Sequence, residues 1–271
     1  MKRTTHDHME QRSDEWYAAR AGILTASTIG KMLTWSKPAP TTVPCPKCDA
    51  AEGMPCQKLR GAGDLKTIHP ERTAVLADAP PTLRPATGDA ARTLTLTLAA
   101  ERITGHVEET PTTAAMWRGI EEEPLARAHY EETRGVTVEE VGFITLEHLG
   151  MRVGYSPDGL VGDDGLIEIK SRNQREQLLT FTEGQVPAYH MAQLQCALLV
   201  SGREWIDYCS YAGGMPMWVA RITPSPMWQD ALTAAVETFE RNVQAIVQQY
   251  QQLTHGLPTT ERTPAYDEIV V

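Results

Sequence analysis

Ser156-Pro157-Asp158-Gly159-Leu160, followed after Val161 to Asp164 by Gly165-Leu166-Ile167-Glu168-Ile169-Lys170, is the stretch on which the reading of this chain turns. Alternate side chains of a strand share a face, so Glu168 and Lys170 point one way while Ile167 and Ile169 point into a core. Gly162-Asp163-Asp164-Gly165 is a hairpin signal. It folds the arm carrying Asp158 back beside Glu168. Two carboxylates and an ammonium then meet on an otherwise apolar sheet, where unpaired charge is costly. Hard divalent cations such as Mg²⁺ take carboxylate, carbonyl and water ligands. Such an ion activates its water and offsets charge on a transferring phosphoryl group. Lysine beside it orients or deprotonates the attacking water, desolvation and nearby cations lowering its pKa. The same short pattern also fits a surface hairpin with a Glu–Lys pair and a turn aspartate.

Outward from this stretch, strand patterns occupy 136–138, 142–145, 151–155, 205–211 and 217–222. Helical patterns occupy 89–103, 114–134 and 187–200, and an amphipathic one runs from Pro226 to about Leu253. Asp14 to Arg20 reads as a helix capped by Ser13 or Asp14, and Thr25-Ala26-Ser27 as the opening of a second helix reaching Met32. The order implies an α/β (α+β sandwich) fold around one mixed sheet flanked by helices. Residues 1–37 and 86–254 would make the main domain, 38–85 an inserted module and 255–271 a C-terminal extension.

A net charge of −10 argues against a protein that coats nucleic acid nonspecifically. It leaves room for an enzyme that brings phosphate in through metal ions. No apolar run reaches the roughly 20 residues a membrane helix needs. The polar Met1–Glu10 segment lacks a secretory core, so the cytoplasm is the expected compartment.

The inserted module holds three of the five cysteines. Cys45-Pro46-Lys47-Cys48, then Cys56 after seven residues and His69 after twelve more, supply a Cys₃His set suited to structural zinc. His106 or His6 are alternatives to His69, and an iron–sulfur cluster is the rival centre. Lys47, Lys58, Arg60, Lys66 and Arg72 make the module locally basic, as a DNA or protein grip would be. Cys196 and Cys209 read as buried small hydrophobes.

Ser-Pro-Asp-Gly-Leu followed by Glu-Ile-Lys resembles the PD-(D/E)xK signature in the form of the lambda exonuclease and YqaJ-type viral recombinase family. Gln11-Arg12-Ser13-Asp14-Glu15-Trp16 with Arg20-Ala21-Gly22 and Thr25-Ala26-Ser27 is similar to that family's N-terminal signature. Arg118-Gly119 to Ala126 resembles its Arg-Gly…Glu-Pro helix, and Met191 to Gln195 with Gly202 to Trp205 its segments after the catalytic strand. The resemblance implies a restriction-endonuclease-like core and a Mg²⁺- or Mn²⁺-dependent 5′-to-3′ exonuclease on linear duplex ends. It implies Asp158, Glu168 and Glu123 as metal ligands, with Glu121 and Glu122 as alternatives to Glu123. Lys170 would be the water-orienting lysine and Gln193 a supporting group, Gln195 being the other candidate. Arg20 and Ser27 match positions that bind a terminal 5′-phosphate. A single-strand annealing partner and a ring trimer are further implications. A non-cutting DNA-end-binding protein and an endonuclease are the competing functions.

Overall fold

The computed structural model describes residues 1–108 and 111–262. In chain order the elements are β1 (Lys2–His6), α1 (Asp14–Arg20), β2 (Leu24–Thr25), β3 (Leu33–Ser36), α2 (Pro70–Ala74), β4 (Thr82–Pro85), α3 (Asp89–Thr104) and α4 (Ala114–Arg134). They continue as β5 (Val138–Glu139), β6 (Phe143–His148), β7 (Met151–Tyr155), β8 (Gly159–Val161), β9 (Gly165–Ser171) and α5 (Gln174–Glu183). The last are α6 (Met191–Ser201), β10 (Trp205–Tyr211), β11 (Trp218–Ile222) and α7 (Pro226–Leu253).

The expected single mixed sheet is divided. One sheet has the order β1-β6-β7-β2, a second β11-β10-β9-β8-β5, and β3 pairs with β4 as a separate ribbon. The division falls at Ser156–Asp158, where the chain leaves β7 before β8 begins, Pro157 having no N–H to give a ladder. In the second sheet β9 runs parallel to β10, with Glu168 beside Tyr208 and Lys170 beside Ser210. β8 is antiparallel to β9 with Gly159 opposite Ile167, so continuing that register sets Asp158 opposite Glu168.

Strand β9 is buried on both faces as far as Ile169, with Leu166, Ile167 and Ile169 packed and Glu168 enclosed among them. Leu166 joins Leu194, Leu198, Ile206, Leu232 and Phe239 in the main core under α6 and α7. Ile167 and Ile169 pack with Ala126 and Tyr130 of α4 on the other side. Glu168 and Lys170 therefore look toward α6.

One local expectation is corrected, and two elements lie where none was expected. The polar N-terminus is an edge strand, β1, paired along β6 from Lys2–Glu147 to His6–Phe143. The segment from Thr25 is a strand end followed by a short 3₁₀ turn, Ile29–Met32, with the Thr28 hydroxyl bonded to the Thr25 carbonyl. Helix α5 was not anticipated. Residues 263–271 of the expected C-terminal extension lie outside the described residues.

Candidate active site and metal centre

Glu168 is the hub of the first cluster and only 2% exposed. Its Oε1 accepts from Lys170 Nζ at 2.7 Å and from Gln193 Nε2 at 2.5 Å, and its Oε2 accepts from the Tyr155 hydroxyl at 3.0 Å. Asp158 Oδ2 accepts from the Ile169 backbone N–H at 2.6 Å. Glu123 Oε1 takes a charged bond from Arg127 at 2.7 Å, and Arg127 Nε reaches the Asp158 carbonyl at 3.0 Å. One buried guanidinium thus ties α4 to the loop carrying Asp158. Arg127 stands four residues after Glu123 on one helix, a spacing from which the pair was readable. Tyr155 gave no such signal.

Of the two glutamines, Gln193 faces Glu168, while Gln195 is buried against the Thr223 carbonyl and the Ser225 N–H. Glu122 accepts from the Ser171 hydroxyl and belongs to a separate contact with Arg118. Arg20 and Ser27 flank the end of β7. Arg20 donates to the Ser156 hydroxyl at 3.0 Å and lies 4.0 Å from the Trp16 ring centroid. Ser27 is exposed, its hydroxyl 3.1 Å from that of Thr25, and lines a cleft with Tyr189 and Ala192, the residue before Gln193.

Burial, reinforced by Glu168 and Glu123, holds the Asp158 carboxyl well above its ordinary range. Burial also raises Glu123, against the pull of Arg127 and Arg12. Burial pulls Lys170 down, but Glu168 and Asp158 outweigh it, so the ammonium sits above its ordinary value. In the chain by itself the nearby charges are carboxylates, and a bound divalent cation would act in the opposite direction. Burial brings Arg20 down to about 10. The three carboxylates suit a hard divalent cation, which would relieve the repulsion that raises Asp158. They do not close to a common spacing of 4.8 Å among the described residues, Glu123 being drawn onto Arg127.

The second cluster does close. Cys45, Cys48, Cys56 and His69 bring one donor atom each to within 4.8 Å of one another. A tetrahedral ion with bonds near 2.3 Å needs edges of about 3.8 Å, so this spacing fits one zinc ion rather than a larger cluster. Cys45 Sγ lies 3.5 Å from His69 Nδ1. Backbone N–H groups of Gln57 and His69 point at Cys48 and Cys56 sulfur, at 3.3 and 3.5 Å. The His69 N–H foremost, then Arg72, Cys45 and Cys48, outweigh burial and bring Cys56 down to about 6. Neither His6 nor His106 takes part. Cys45, Ala50 and Cys56 form the module's own small core, with Leu65 and Ile68 packed against it, and a bound ion would add to its stability. The basic patch shrinks on inspection: Arg72 is fully buried and Lys47 pairs with Glu71 at 2.6 Å. Lys58, Arg60 and Lys66 stay exposed.

Residues 85–204 match the YqaJ-like viral recombinase domain. Residues 11–92 match a family described as "Putative DNA-binding phage zinc finger domain". Among solved structures the chain is similar to the alkaline exonuclease LHK-Exo from Laribacter hongkongensis, at 26% identity and TM-score 0.65, covering 91% of this chain and 100% of that one. A second structure of LHK-Exo, in complex with dAMP, aligns with the same figures. A phage-related exonuclease from Haemophilus somnus 129PT is 12% identical over 69% of this chain and 91% of that one, at TM-score 0.47. No curated protein matches the sequence.

Proposed function

We propose that this chain, carrying a YqaJ-like viral recombinase domain beside a zinc-binding module, is a phage-type DNA exonuclease that hydrolyses one strand of linear duplex DNA from a 5′ end. The observation that carries the reading is the buried Glu168 with Lys170 and Gln193 on one oxygen and Asp158 opposite. A divalent cation, Mg²⁺ or Mn²⁺, held by Asp158, Glu168 and Glu123 would activate water and offset charge on the scissile phosphate. Lys170, bonded to Glu168, orients the attacking water. Gln193 fixes the Glu168 rotamer, and Arg127 fixes the distance between Glu123 and Asp158. Arg20, a partly buried guanidinium with no carboxylate bonded to it among the described residues, supplies a fork for the terminal 5′-phosphate, with the Ser27 hydroxyl as a further donor.

The zinc module adds a grip on duplex. Cys56 roots a hairpin in which Lys58 N–H bonds the Gly63 carbonyl at 3.0 Å. Its tip presents Lys58, the 59% exposed Leu59 and Arg60. Cations flanking an exposed apolar side chain suit a DNA groove. The proposal extends to work in the cytoplasm, a single-strand annealing partner and a ring of three copies, the last read out by light scattering.

The test is digestion of 5′-phosphorylated linear duplex, with closed circular DNA as control. Lys170→Ala should cut the linear substrate more slowly by roughly a hundredfold or more. Equal rates for the two proteins would remove Lys170 from the chemistry. Cleavage of closed circles would make the enzyme an endonuclease.

A further inference from the structure

Arg72, on the short helix α2, has 0% of its surface exposed. All five of its N–H donors are used. Nε donates to the Val43 carbonyl at 2.8 Å, Nη1 to the Met54 carbonyl at 2.7 Å and to Cys56 Sγ at 3.6 Å. Nη2 donates to the carbonyls of Thr41 at 3.2 Å and Ala51 at 2.9 Å. None of these acceptors is a carboxylate, and Arg72 makes no ion pair with any described residue. These dipoles solvate the guanidinium but carry no net charge, so an anion beside it would stabilise it further.

The anion is available in the donor set that surrounds it. A zinc ion held by three thiolates and one neutral imidazole carries a net charge of −1, the three thiol protons having left to solvent. A Cys₂His₂ centre would be neutral and a Cys₄ centre would carry −2. Only the Cys₃His set that this module gathers balances one guanidinium. Contact is direct, through Cys56 Sγ. The same guanidinium draws together the loop at Thr41 and Val43 and the turn from Ala51 to Met54, which flank Cys45, Cys48 and Cys56 in sequence.

We propose that Arg72 is the built-in counter-charge of the module's metal centre, so that zinc affinity depends on the pairing of this buried guanidinium with a centre of net charge −1. The proposal rests on the module holding zinc.

The measurement is zinc affinity of the full chain, by competition with a chromophoric chelator. Arg72→Gln, which removes the charge, should weaken binding tenfold or more. Arg72→Lys, which keeps the charge and loses the fork, should bind more tightly than Arg72→Gln. Affinity for Arg72→Gln within twofold of the wild type would overturn the proposal. So would Arg72→Lys binding no better than Arg72→Gln, since that marks a role in tying carbonyls alone. Cys48→His gives a second, independent route, because it makes the centre neutral. Arg72→Gln should then cost less affinity in the Cys48→His background than in the wild type, and an equal cost in both overturns the pairing. A wild-type chain that holds no zinc would end the premise, whereas equal affinities would end only the assignment to Arg72.

Discussion

At the scale of single residues, Asp158 carries its carboxyl into a place where burial, Glu168 and Glu123 all oppose ionisation. A carboxyl held above its unfolded value adds stability at low pH that is lost as pH rises through the folded value. Without divalent metal, Asp158→Asn should therefore melt higher than the wild type, its amide oxygen keeping the Ile169 N–H bond. The gap should widen as pH climbs from about 4 to neutrality. Added Mg²⁺ or Mn²⁺ should raise the wild-type melting temperature and leave Asp158→Asn nearly unmoved. A metal shift of equal size in both proteins would sink the assignment of Asp158 as a ligand. Arg127→Met should lower exonuclease activity about 10- to 100-fold by freeing Glu123 and the Asp158 loop, with Tm and turnover measured together. That Glu168 and Lys170 share a face was legible from strand alternation, and their role only from the resemblance of the flanking segments. Arg72 was not: counted by composition it is a surface cation, and only folding reveals that it is enclosed. The protonation of Lys170 likewise depends on which charged groups surround it in the fold.

Among the elements, α5 shows what a local signal is worth. Asn173 caps it, accepting from the Glu176 N–H at 2.9 Å while the Glu176 side chain returns to the Asn173 N–H at 3.4 Å. That capping box and the left-handed Gly184 at its end were in the sequence to be read. The apolar pattern hid it, because Leu178, Leu179 and Phe181 are exposed while Gln177 is buried, bonded to Ser210 and the Pro216 carbonyl. Asn173→Ala should cost about 1 kcal/mol, seen in chemical denaturation of the full chain. No loss would mean that packing of Gln177 holds the helix without its cap. Strand β1 was missed for the opposite reason: an edge strand with one side in water has no apolar run to announce it. The turn at Ile29–Met32 has a helical start signal but only four residues, too few for a helix to persist.

For the whole molecule, an acidic chain must confine its contact with DNA phosphates to a few places. The ribbon of β3 and β4 carries the zinc module, and Trp35 and Leu83 of that ribbon line the same cleft as Ser27 and Tyr189. A double variant, Lys58→Ala with Arg60→Ala, should flatten the plot of log affinity against log salt by about 2 for duplex DNA. An unchanged slope would remove the hairpin tip from the interface. The sequence by itself determined the α/β class, the hairpin that sets Asp158 beside Glu168, and the Cys₃His set, because these rest on periodicity and spacing within short stretches. Only the tertiary structure decided that the sheet divides at Pro157, that Tyr155 meets Glu168, and that Arg72 faces sulfur instead of solvent. Those outcomes depend on which distant groups share a dry interior, and burial is a property of the assembled fold that no local pattern carries.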